Sequence, residues 1–348
     1  MCPKLIDAMS AYALIHIGVR FGGRNMYKLT IEEKTITSLP DETVLDALIR
    51  EKVNISYACK KGSCHSCMVR SPDTPPPEAA QAGLKNTLKK HNHFLACLCH
   101  PEQDMVIKLP DQSEFYTEGT VLVNDRLNRN TLLLIIAFKD AFEFNAGQFV
   151  NLQRADGLTR SYSIANTPQA TNTLEFHIRR LEGGKFSAWL HDELKVGDSI
   201  AVSEARGHCF YLPERKEQGL LLAGTGTGLA PLAGILTDAL AHGHSGPIYL
   251  FHGSRDLDDL YRIDELRQLA GQHPNFHYFP CLSGQHVPDG FSRGRVNDVA
   301  AATLGDLKAW RVFLCGHPEM VKQMKKMTFL KGAASADIYA DAFLLTPI

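Results

Sequence analysis

The spacing of apolar residues along the chain changes twice, and each change marks a different kind of structure. Near the start, residues 27–31, 35–39 and 105–109 alternate between apolar and polar positions as strands do. Between the second and third of these stretches, Thr43 precedes apolar residues at helical spacing, which predicts a helix. A hairpin followed by a helix and a long loop predicts a β-grasp domain.

The middle of the chain predicts a small antiparallel β-barrel. Short alternating stretches recur at close intervals with turn residues between them. The six predicted strands are residues 120–124, 131–138, 148–153, 160–165, 174–179 and 199–203. Residues 181–194 contain two glycines and a helical run, which predicts one helix before the last strand.

After residue 213 the pattern changes to continuous apolar stretches that alternate with helical segments. The predicted strands are 220–223, 248–251, 276–282, 312–315 and 338–340. This alternation predicts a parallel α/β sheet covered on both faces. The fold class is therefore α/β multidomain. The expected divisions are an extension (1–25), a β-grasp domain (26–110), a linker (111–116), a six-stranded barrel (117–213) and a parallel α/β domain (214–348).

Composition narrows the functional classes. The 348 residues carry a net charge of -1, so no overall basic field attracts nucleic acid or an anionic membrane. No apolar run approaches the length of a membrane span. We therefore expect neither a nucleic acid nor a membrane as a partner, and we expect a monomer.

The nine cysteines are clustered rather than spread as pairs, and their number is odd. This usage suits a reducing compartment and predicts a cytoplasmic protein. The apolar patch at residues 11–19 is not followed by a small-residue cleavage site, so residues 1–25 are interpreted as an extension and not as a signal peptide.

Cys59, Cys64 and Cys67 lie at C-x4-C-x2-C spacing, and Cys97 and Cys99 follow downstream. A 2Fe-2S cluster takes four thiolates, and this spacing is typical of three ligands on one loop with the fourth elsewhere. A zinc site and buried cysteines that only fill a core are the alternatives. Structural zinc sites favour two separated C-x2-C pairs, so the spacing favours the iron–sulfur cluster.

One predicted barrel strand carries Arg160, Tyr162 and Ser163. We interpret them as part of an FAD site and expect the three side chains to project to the same face. An arginine can hold the pyrophosphate, a tyrosine can pack on the isoalloxazine ring, and a hydroxyl can hydrogen-bond near its N5 atom. An ordinary strand with polar residues is the alternative.

Gly183, Gly184, Lys185 and Ser187 stand at the start of the predicted helix in the barrel domain. Backbone N–H groups at the start of a helix, with a serine nearby, form an anion site that suits the same pyrophosphate. These residues are therefore a second predicted part of the FAD site.

Gly224, Thr225, Gly226, Thr227 and Gly228 connect an apolar strand to a helix with proline in its first turn. A phosphate can approach the bare backbone of such a turn closely. The spacing is G-x-G-x-G and not the G-x-G-x-x-G of the Rossmann fingerprint. The turn is therefore a predicted phosphate site, with a plain tight turn as the alternative. It is similar to the nicotinamide-binding turn of the ferredoxin-NADP reductase superfamily, and that resemblance implies a nicotinamide nucleotide site.

The cysteine loop, with Cys97 and Pro101, resembles the plant-type ferredoxin domain. In that family the fourth ligand lies four residues before a proline, so the resemblance implies Cys97 rather than Cys99. Relatives usually carry glycine directly after the second cysteine, where this chain has His65. The difference implies either a strained backbone or an added hydrogen-bond donor near sulfur.

The two later domains resemble the ferredoxin-NADP reductase superfamily. The resemblance implies that Cys315 and Gly316 lie beside the nicotinamide, and that Phe343, with Asp341, flanks the flavin ring. With Ser163, the residues Cys315 and Phe343 form the expected catalytic set. A buried core cysteine and an ordinary core phenylalanine are the alternatives.

The domain order is similar to that of the three-domain reductase components of bacterial mono- and dioxygenases. The similarity implies an NAD(P)H-dependent oxidoreductase that passes electrons from NADH through FAD to a 2Fe-2S cluster and on to an oxygenase component. The same domains also reduce other iron proteins, such as deoxysugar dehydratases. A redox-sensing module without turnover and a zinc-stabilised domain fused to a reductase are further alternatives.

The nucleotide preference is predicted from the positions that would hold a 2′-phosphate. Relatives that use NADPH tend to carry a serine-arginine pair after the third strand of the nucleotide domain, because a dianionic phosphate is held by charge-assisted hydrogen bonds. Here Leu282 and Ser283 occupy those positions. Arg255 could approach a phosphate, but the three aspartates within 256–259 would repel it. We therefore expect NADH to be preferred over NADPH.

Overall fold

The computed structural model describes residues 26–109, 115–168 and 172–343. The predicted extension (1–25) and most of the predicted linker lie outside the described residues. We call residues 26–109 the N-terminal domain, 115–213 the barrel domain and 214–343 the C-terminal domain.

The N-terminal domain has the predicted β-grasp arrangement. Its elements are β1 (Lys28–Ile31), β2 (Lys34–Thr37), α1 (Val44–Arg50), β3 (Met68–Arg70), α2 (Asn86–Lys90), β4 (His93–Leu95) and β5 (Met105–Ile107). Strand β1 pairs antiparallel with β2 and parallel with β5, and β3 pairs with β4 separately. Helix α1 begins after Thr43, whose hydroxyl accepts a hydrogen bond from the N–H of Asp46 at 3.1 Å. The cysteine loop, residues 59–67, lies between α1 and β3.

The barrel domain contains the predicted antiparallel strands. They are β6 (Tyr116–Arg126), β7 (Thr131–Ala137), β8 (Phe149–Gln153), β9 (Thr159–Ser163), β10 (Thr173–Arg179) and β11 (Ser199–Ser203), with helix α3 (Lys185–Asp192) before β11. The strand order is β10-β7-β6-β11-β8-β9. The N–H of Ala165 donates to the carbonyl of Glu175 at 2.8 Å, which brings the end of β9 back beside β10. Tyr116 begins β6, so its assignment to the linker is wrong.

The C-terminal domain is a parallel sheet flanked by helices, as predicted. Its elements are β12 (Leu220–Thr225), α4 (Leu229–Ala241), β13 (Ile248–Ser254), α5 (Ile263–Gln272), β14 (Phe276–Leu282), β15 (Ser292–Arg293), α6 (Val296–Thr303), β16 (Arg311–Gly316), α7 (Pro318–Leu330) and β17 (Ile338–Ala342). The strand order is β15-β14-β13-β12-β16-β17. The sequence prediction missed β15, because two residues are too few to show a hydrophobic period.

No helix within the described ranges combines the length and the apolar character needed to cross a bilayer.

Candidate active site

The cysteine loop directs hydrogen-bond donors at its own sulfur atoms. The N–H of Cys59 donates to the sulfur of Cys64, and the N–H of Cys64 donates to the sulfur of Cys59, both at 3.4 Å. The N–H of Lys61 adds a bond to the Cys59 sulfur at 3.3 Å, and the hydroxyl of Ser66 adds one to the Cys64 sulfur at 3.2 Å. Hydrogen bonds to sulfur stabilise thiolates and tune the potential of an iron–sulfur cluster.

The thiols form two adjacent pairs. Contact with Cys64 lowers the pKa of Cys59 to about 4, and contact with Cys67 lowers the pKa of Cys97. In the described part of the chain, no group of three or more His, Cys, Asp or Glu side chains is arranged to hold a single metal ion. Four thiols in two neighbouring pairs would fit the ligand set of a 2Fe-2S cluster, which takes four thiolates.

Cys99 has a different environment from Cys97. It is fully buried in the core of the N-terminal domain, and burial raises the pKa of its thiol to about 12. Its carbonyl accepts a hydrogen bond from the N–H of Val44 at 2.8 Å, which ties the start of α1 to this segment. The geometry therefore favours Cys97 as the fourth ligand, and this assignment stays a prediction.

His65 takes a backbone φ of +57°, in the left-handed region that disfavours residues other than glycine. Its Nδ1 atom lies 2.7 Å from Nη1 of Arg206 in the barrel domain, and it must accept, because a guanidinium only donates. Burial and the charge of Arg206 lower the pKa of His65 to about 4. The strained backbone expected from the sequence is confirmed. The hydroxyl that donates to the Cys64 sulfur belongs to Ser66.

Strand β9 carries the first predicted part of the FAD site. It pairs with β8 residue by residue along its whole length, so Arg160 and Tyr162 lie on one face and Ser163 lies on the other. The prediction that all three side chains share a face is therefore wrong for Ser163. Tyr162 packs against the barrel core, with its ring centroid 6.0 Å from that of Phe186 in α3. Arg160 donates to the carbonyl of Thr159 at 2.8 Å.

The start of α3 carries the second predicted part of the FAD site. Gly183 has a φ of +69°, and Gly184 directly precedes the helix. The buried hydroxyl of Ser187 accepts from the N–H of Leu181 and donates to the carbonyl of Gly184, both at 3.1 Å, so it shapes this turn. The first N–H groups of a helix have no partner inside it. Together with the exposed Lys185, these groups are the ones that could bind a pyrophosphate.

The glycine-rich turn, residues 224–228, packs directly on the end of β16. A Cβ atom on Gly228 would clash with the carbonyl of Cys315. Gly316 has a φ of +117°, and a Cβ atom there would lie 2.7 Å from the carbonyl oxygen of Thr225. The hydroxyl of Thr225 accepts from the N–H of His317 at 3.0 Å. Both glycines are required, because two backbone segments meet where a side chain would not fit.

The three predicted catalytic residues meet at the junction of the barrel and C-terminal domains. Asp341 of β17 pairs with Cys315 of β16. The hydroxyl of Ser163 donates to the carboxylate of Asp341 at 3.4 Å, across the two domains. The N–H of Phe343 donates to the carbonyl of Gly316 at 2.8 Å. The tertiary structure thus places Cys315 beside the glycine-rich turn, and it brings Ser163 and Phe343 to the neighbouring ends of β17 and β16.

The thiol of Cys315 is fully buried and lies 3.8 Å from that of Cys209, which follows the barrel strands. This contact and burial raise its pKa well above the usual range. Cys315 is therefore a neutral, buried thiol at the junction of the barrel and C-terminal domains.

Sequence reasoning missed Arg179, the exposed last residue of β10. A Cβ atom on Gly226 would lie 4.0 Å from Nη1 of Arg179, so a guanidinium stands beside the glycine-rich turn. Arginine binds phosphate through charge-assisted hydrogen bonds. A single arginine at the end of a strand has no local signature, and only the approach of two domains reveals its position.

Three protein families match successive parts of the chain. Residues 29–102 match the 2Fe-2S iron-sulfur cluster binding domain. Residues 119–211 match the oxidoreductase FAD-binding domain, and residues 222–326 match the oxidoreductase NAD-binding domain.

Several curated proteins are similar over nearly the whole length. The phenol hydroxylase P5 protein of Acinetobacter pittii is 32% identical over 338 residues, which cover 91% of this chain and 94% of that protein. The ferredoxin–NAD(P)(+) reductase component of the naphthalene 1,2-dioxygenase system of Pseudomonas putida is 31% identical, over 86% and 93% of the two chains.

Solved structures show the same fold. The cytochrome P450 reductase GcoB of Amycolatopsis superposes with a TM-score of 0.66 at 27% identity, over 91% of this chain and 98% of that one. The ferredoxin reductase in carbazole 1,9a-dioxygenase superposes with a TM-score of 0.64 at 24% identity, over 92% and 99%.

Proposed function

The chain belongs to the family of oxygenase reductase components that join a 2Fe-2S domain to FAD-binding and NAD-binding domains, and we propose that it passes electrons from NADH through FAD to its cluster and on to an oxygenase component. Acinetobacter and Pseudomonas relatives are named as parts of phenol and naphthalene oxygenase systems. An aromatic compound is therefore the substrate class that we propose for the partner oxygenase.

Each domain contributes its own residues to this function. The backbone N–H groups of residues 224–228, with Arg179, would hold the phosphates of the nicotinamide nucleotide. Arg160, with the start of α3, would hold the FAD pyrophosphate, and Tyr162 would pack on the flavin. Four cysteines, Cys59, Cys64, Cys67 and Cys97, would ligate the irons.

When bound, FAD and the cluster supply the redox chemistry, since the flavin accepts a hydride and the cluster carries single electrons. The protein orients the groups and excludes water. Ser163, Cys315 and Phe343 close the junction where a nicotinamide would meet the flavin. Because these residues come from two domains, the packing of those domains decides how well a nicotinamide is oriented there.

The observation that supports the proposal most strongly is that the neighbouring strands β8 and β9 contact both sites. Ser163 of β9 bonds to Asp341 in the C-terminal domain, and Asn151 of β8 donates to the carbonyl of Cys64 in the cysteine loop at 2.8 Å. A barrel between a nucleotide site and a cluster site suits a protein that moves electrons from one to the other.

The test is the absorption spectrum of the purified protein under anaerobic conditions. We expect both flavin and 2Fe-2S bands, and we expect NADH to bleach both. Reduction of the purified partner oxygenase, with NADH as the donor, would then identify the acceptor. A protein that carries both groups but is not bleached by NADH would contradict the proposed activity.

We also propose that NADH is preferred over NADPH. The hydroxyl of Ser283 lies 3.3 Å from the carbonyl of Ser254, so it is engaged with the backbone. Arg255 is exposed, and the neighbouring Asp256 and Asp258 are exposed as well. The expected result is a kcat/KM for NADH at least about tenfold above that for NADPH. A tenfold difference corresponds to about 1.4 kcal/mol of binding free energy. Equal values would overturn the preference.

The clustered cysteines further support a cytoplasmic location, and we propose that the chain acts there as a monomer. Sedimentation of the purified protein tests the monomer, since a mass of twice 38.5 kDa would contradict it.

A further inference from the structure

Asn151 lies at the contact between the barrel domain and the cysteine loop, and its side chain is almost completely buried. The amide Nδ2 donates to the carbonyl of Cys64 at 2.8 Å. The amide Oδ1 accepts from the hydroxyl of Ser161 at 2.8 Å. The backbone N–H of Asn151 donates to the hydroxyl of Ser203 at 2.9 Å.

The chemistry of the partners determines the direction of this hydrogen-bond chain. A peptide carbonyl can only accept, so the NH₂ end of the amide must face Cys64. The oxygen end is then left to accept from Ser161. The donors therefore run in one direction, from Ser161 through Asn151 to the backbone of a predicted cluster ligand.

Both ends of the chain have functional neighbours. Ser161 stands between Arg160 and Tyr162 on the strand that would hold the flavin. Cys64 is a predicted cluster ligand, and its peptide continues into His65. The connection spans residues 64, 151 and 161, and it joins the cysteine loop to the strand that carries Arg160 and Tyr162, through side chains that sequence reasoning did not select.

A buried amide that is hydrogen-bonded at both ends does more than fill space in the interior. An unpaired buried amide would be strongly unfavourable, and a fully paired one holds its neighbours in one arrangement. Phe115 of the barrel domain packs against the apolar core of the N-terminal domain. The hydrogen bond from Asn151 adds a polar contact that reaches the cysteine loop itself.

We propose that Asn151 is a positioning residue for electron transfer from the flavin to the cluster. It holds the Cys64 peptide against β8 and β9, and so fixes the separation of the two groups. The transfer that it would position is that of one electron from reduced FAD to one ferric iron of the cluster, with no atom crossing the junction. This inference rests on the proposed function.

Asn151→Leu, which is similar in size and lacks both bonds, tests the proposal in the full-length holoprotein. Stopped-flow absorption separates flavin reduction by NADH from the later reduction of the cluster. We expect flavin reduction to stay within twofold of wild type and cluster reduction to slow at least about tenfold, because the two groups would no longer be held at a fixed separation. Amide hydrogen exchange in residues 59–67 should also become faster.

Two sets of variants make the result specific. Ser161→Ala removes the first donor and should slow cluster reduction by a smaller factor, whereas Ser161→Thr keeps the hydroxyl and should restore it. Ser56→Ala is the matched control at the same junction. It removes bonds to the carbonyl of Gly157 (2.9 Å) and from Gln153 (3.2 Å), and both of these partners belong to the barrel domain.

The outcomes separate the inference from the proposed function. A wild-type protein whose flavin is not reduced by NADH would contradict the function itself. If the wild type transfers electrons and Asn151→Leu does so at the same rate, the inference is wrong. Equal slowing in Ser56→Ala would also overturn it, since the effect would then belong to the junction as a whole. If Asn151→Leu does not fold, the Ser161→Ala and Ser161→Thr pair decides.

Discussion

The barrel domain contacts its two neighbours in different ways. Towards the C-terminal domain it shares a buried network, in which His177 donates to Glu175 at 3.0 Å and accepts from the hydroxyl of Tyr261 at 3.1 Å. Arg262 also donates to Glu175 at 3.1 Å. Burial lowers the pKa of His177, so the imidazole is neutral there.

The apolar cores also differ between the two junctions of the barrel domain. The core of the C-terminal domain includes Leu127, Cys209 and Tyr211 from the barrel domain. Towards the N-terminal domain, Phe115 of the barrel domain packs against the apolar core. The polar contacts there include the bond from Arg206 to His65 and the exposed ion pair of Lys85 with Glu204 at 3.4 Å.

The difference agrees with the demands of the two proposed steps. A hydride donor and acceptor must be held almost in contact, so the domains that carry them need a fixed interface. The N-terminal domain must also present its cluster to a partner protein, so a weaker interface with the barrel domain is an advantage. Interfaces within a chain resemble transient complexes unless they are large and apolar.

The largest expected effect is loss of the cluster, which should leave the flavin and nucleotide sites unaffected. Cys97→Ser should abolish the 2Fe-2S bands, because Cys97 pairs with Cys67, and should leave flavin binding and its reduction by NADH intact. The measurement is the visible spectrum with iron and sulfide analysis. Cys99→Ser is the control and should keep the cluster. A full cluster signal in Cys97→Ser would refute the assignment.

A substitution in the glycine-rich turn should have the opposite result, with slow flavin reduction and an intact cluster. Gly228→Ala forces a Cβ atom against the carbonyl of Cys315 and displaces the glycine-rich turn. Flavin reduction by NADH should fall by about a hundredfold, while the cluster spectrum stays unchanged. Stopped-flow reduction of the flavin measures the rate. Gly271→Ala, at an exposed position in the last turn of α5 where a Cβ atom meets nothing within 4 Å, is the control and should reduce normally.

The two junctions should also differ in stability. Tyr261→Phe leaves the buried Nδ1 atom of His177 without its donor, so we expect a destabilisation of about 1–3 kcal/mol. Ser56→Ala, at the polar junction, should destabilise by less than about 1 kcal/mol. Urea unfolding of each variant measures both free energies. Equal losses would show that the two junctions are held equally firmly.

The smallest effect concerns the predicted extension. A chain that begins at Met26, directly before β1, should fold and bind both FAD and the cluster, because the described core of the N-terminal domain starts with Leu29. Visible absorption and thermal unfolding of the shortened chain test this. Loss of the cluster bands would mean that residues 1–25 belong to the N-terminal domain.

Features whose residues are close in the chain were predictable from the sequence. The C-x4-C-x2-C loop and the G-x-G-x-G turn each use one short segment, so their spacing alone indicates the chemistry. Strand and helix types were also predictable where the hydrophobic period is long enough, as in β7 and α4. The two-residue strand β15 shows the lower limit of that signal.

Tertiary structure decided what depends on distant segments. It gave Cys97 and Cys99 different surroundings, because the thiol of Cys97 lies against that of Cys67 and Cys99 is fully buried. It also brought Asn151 to Cys64, 87 residues earlier in the chain. Local patterns report the conformation of a segment, whereas the partner of a buried polar group depends on which surfaces the packed domains bring together.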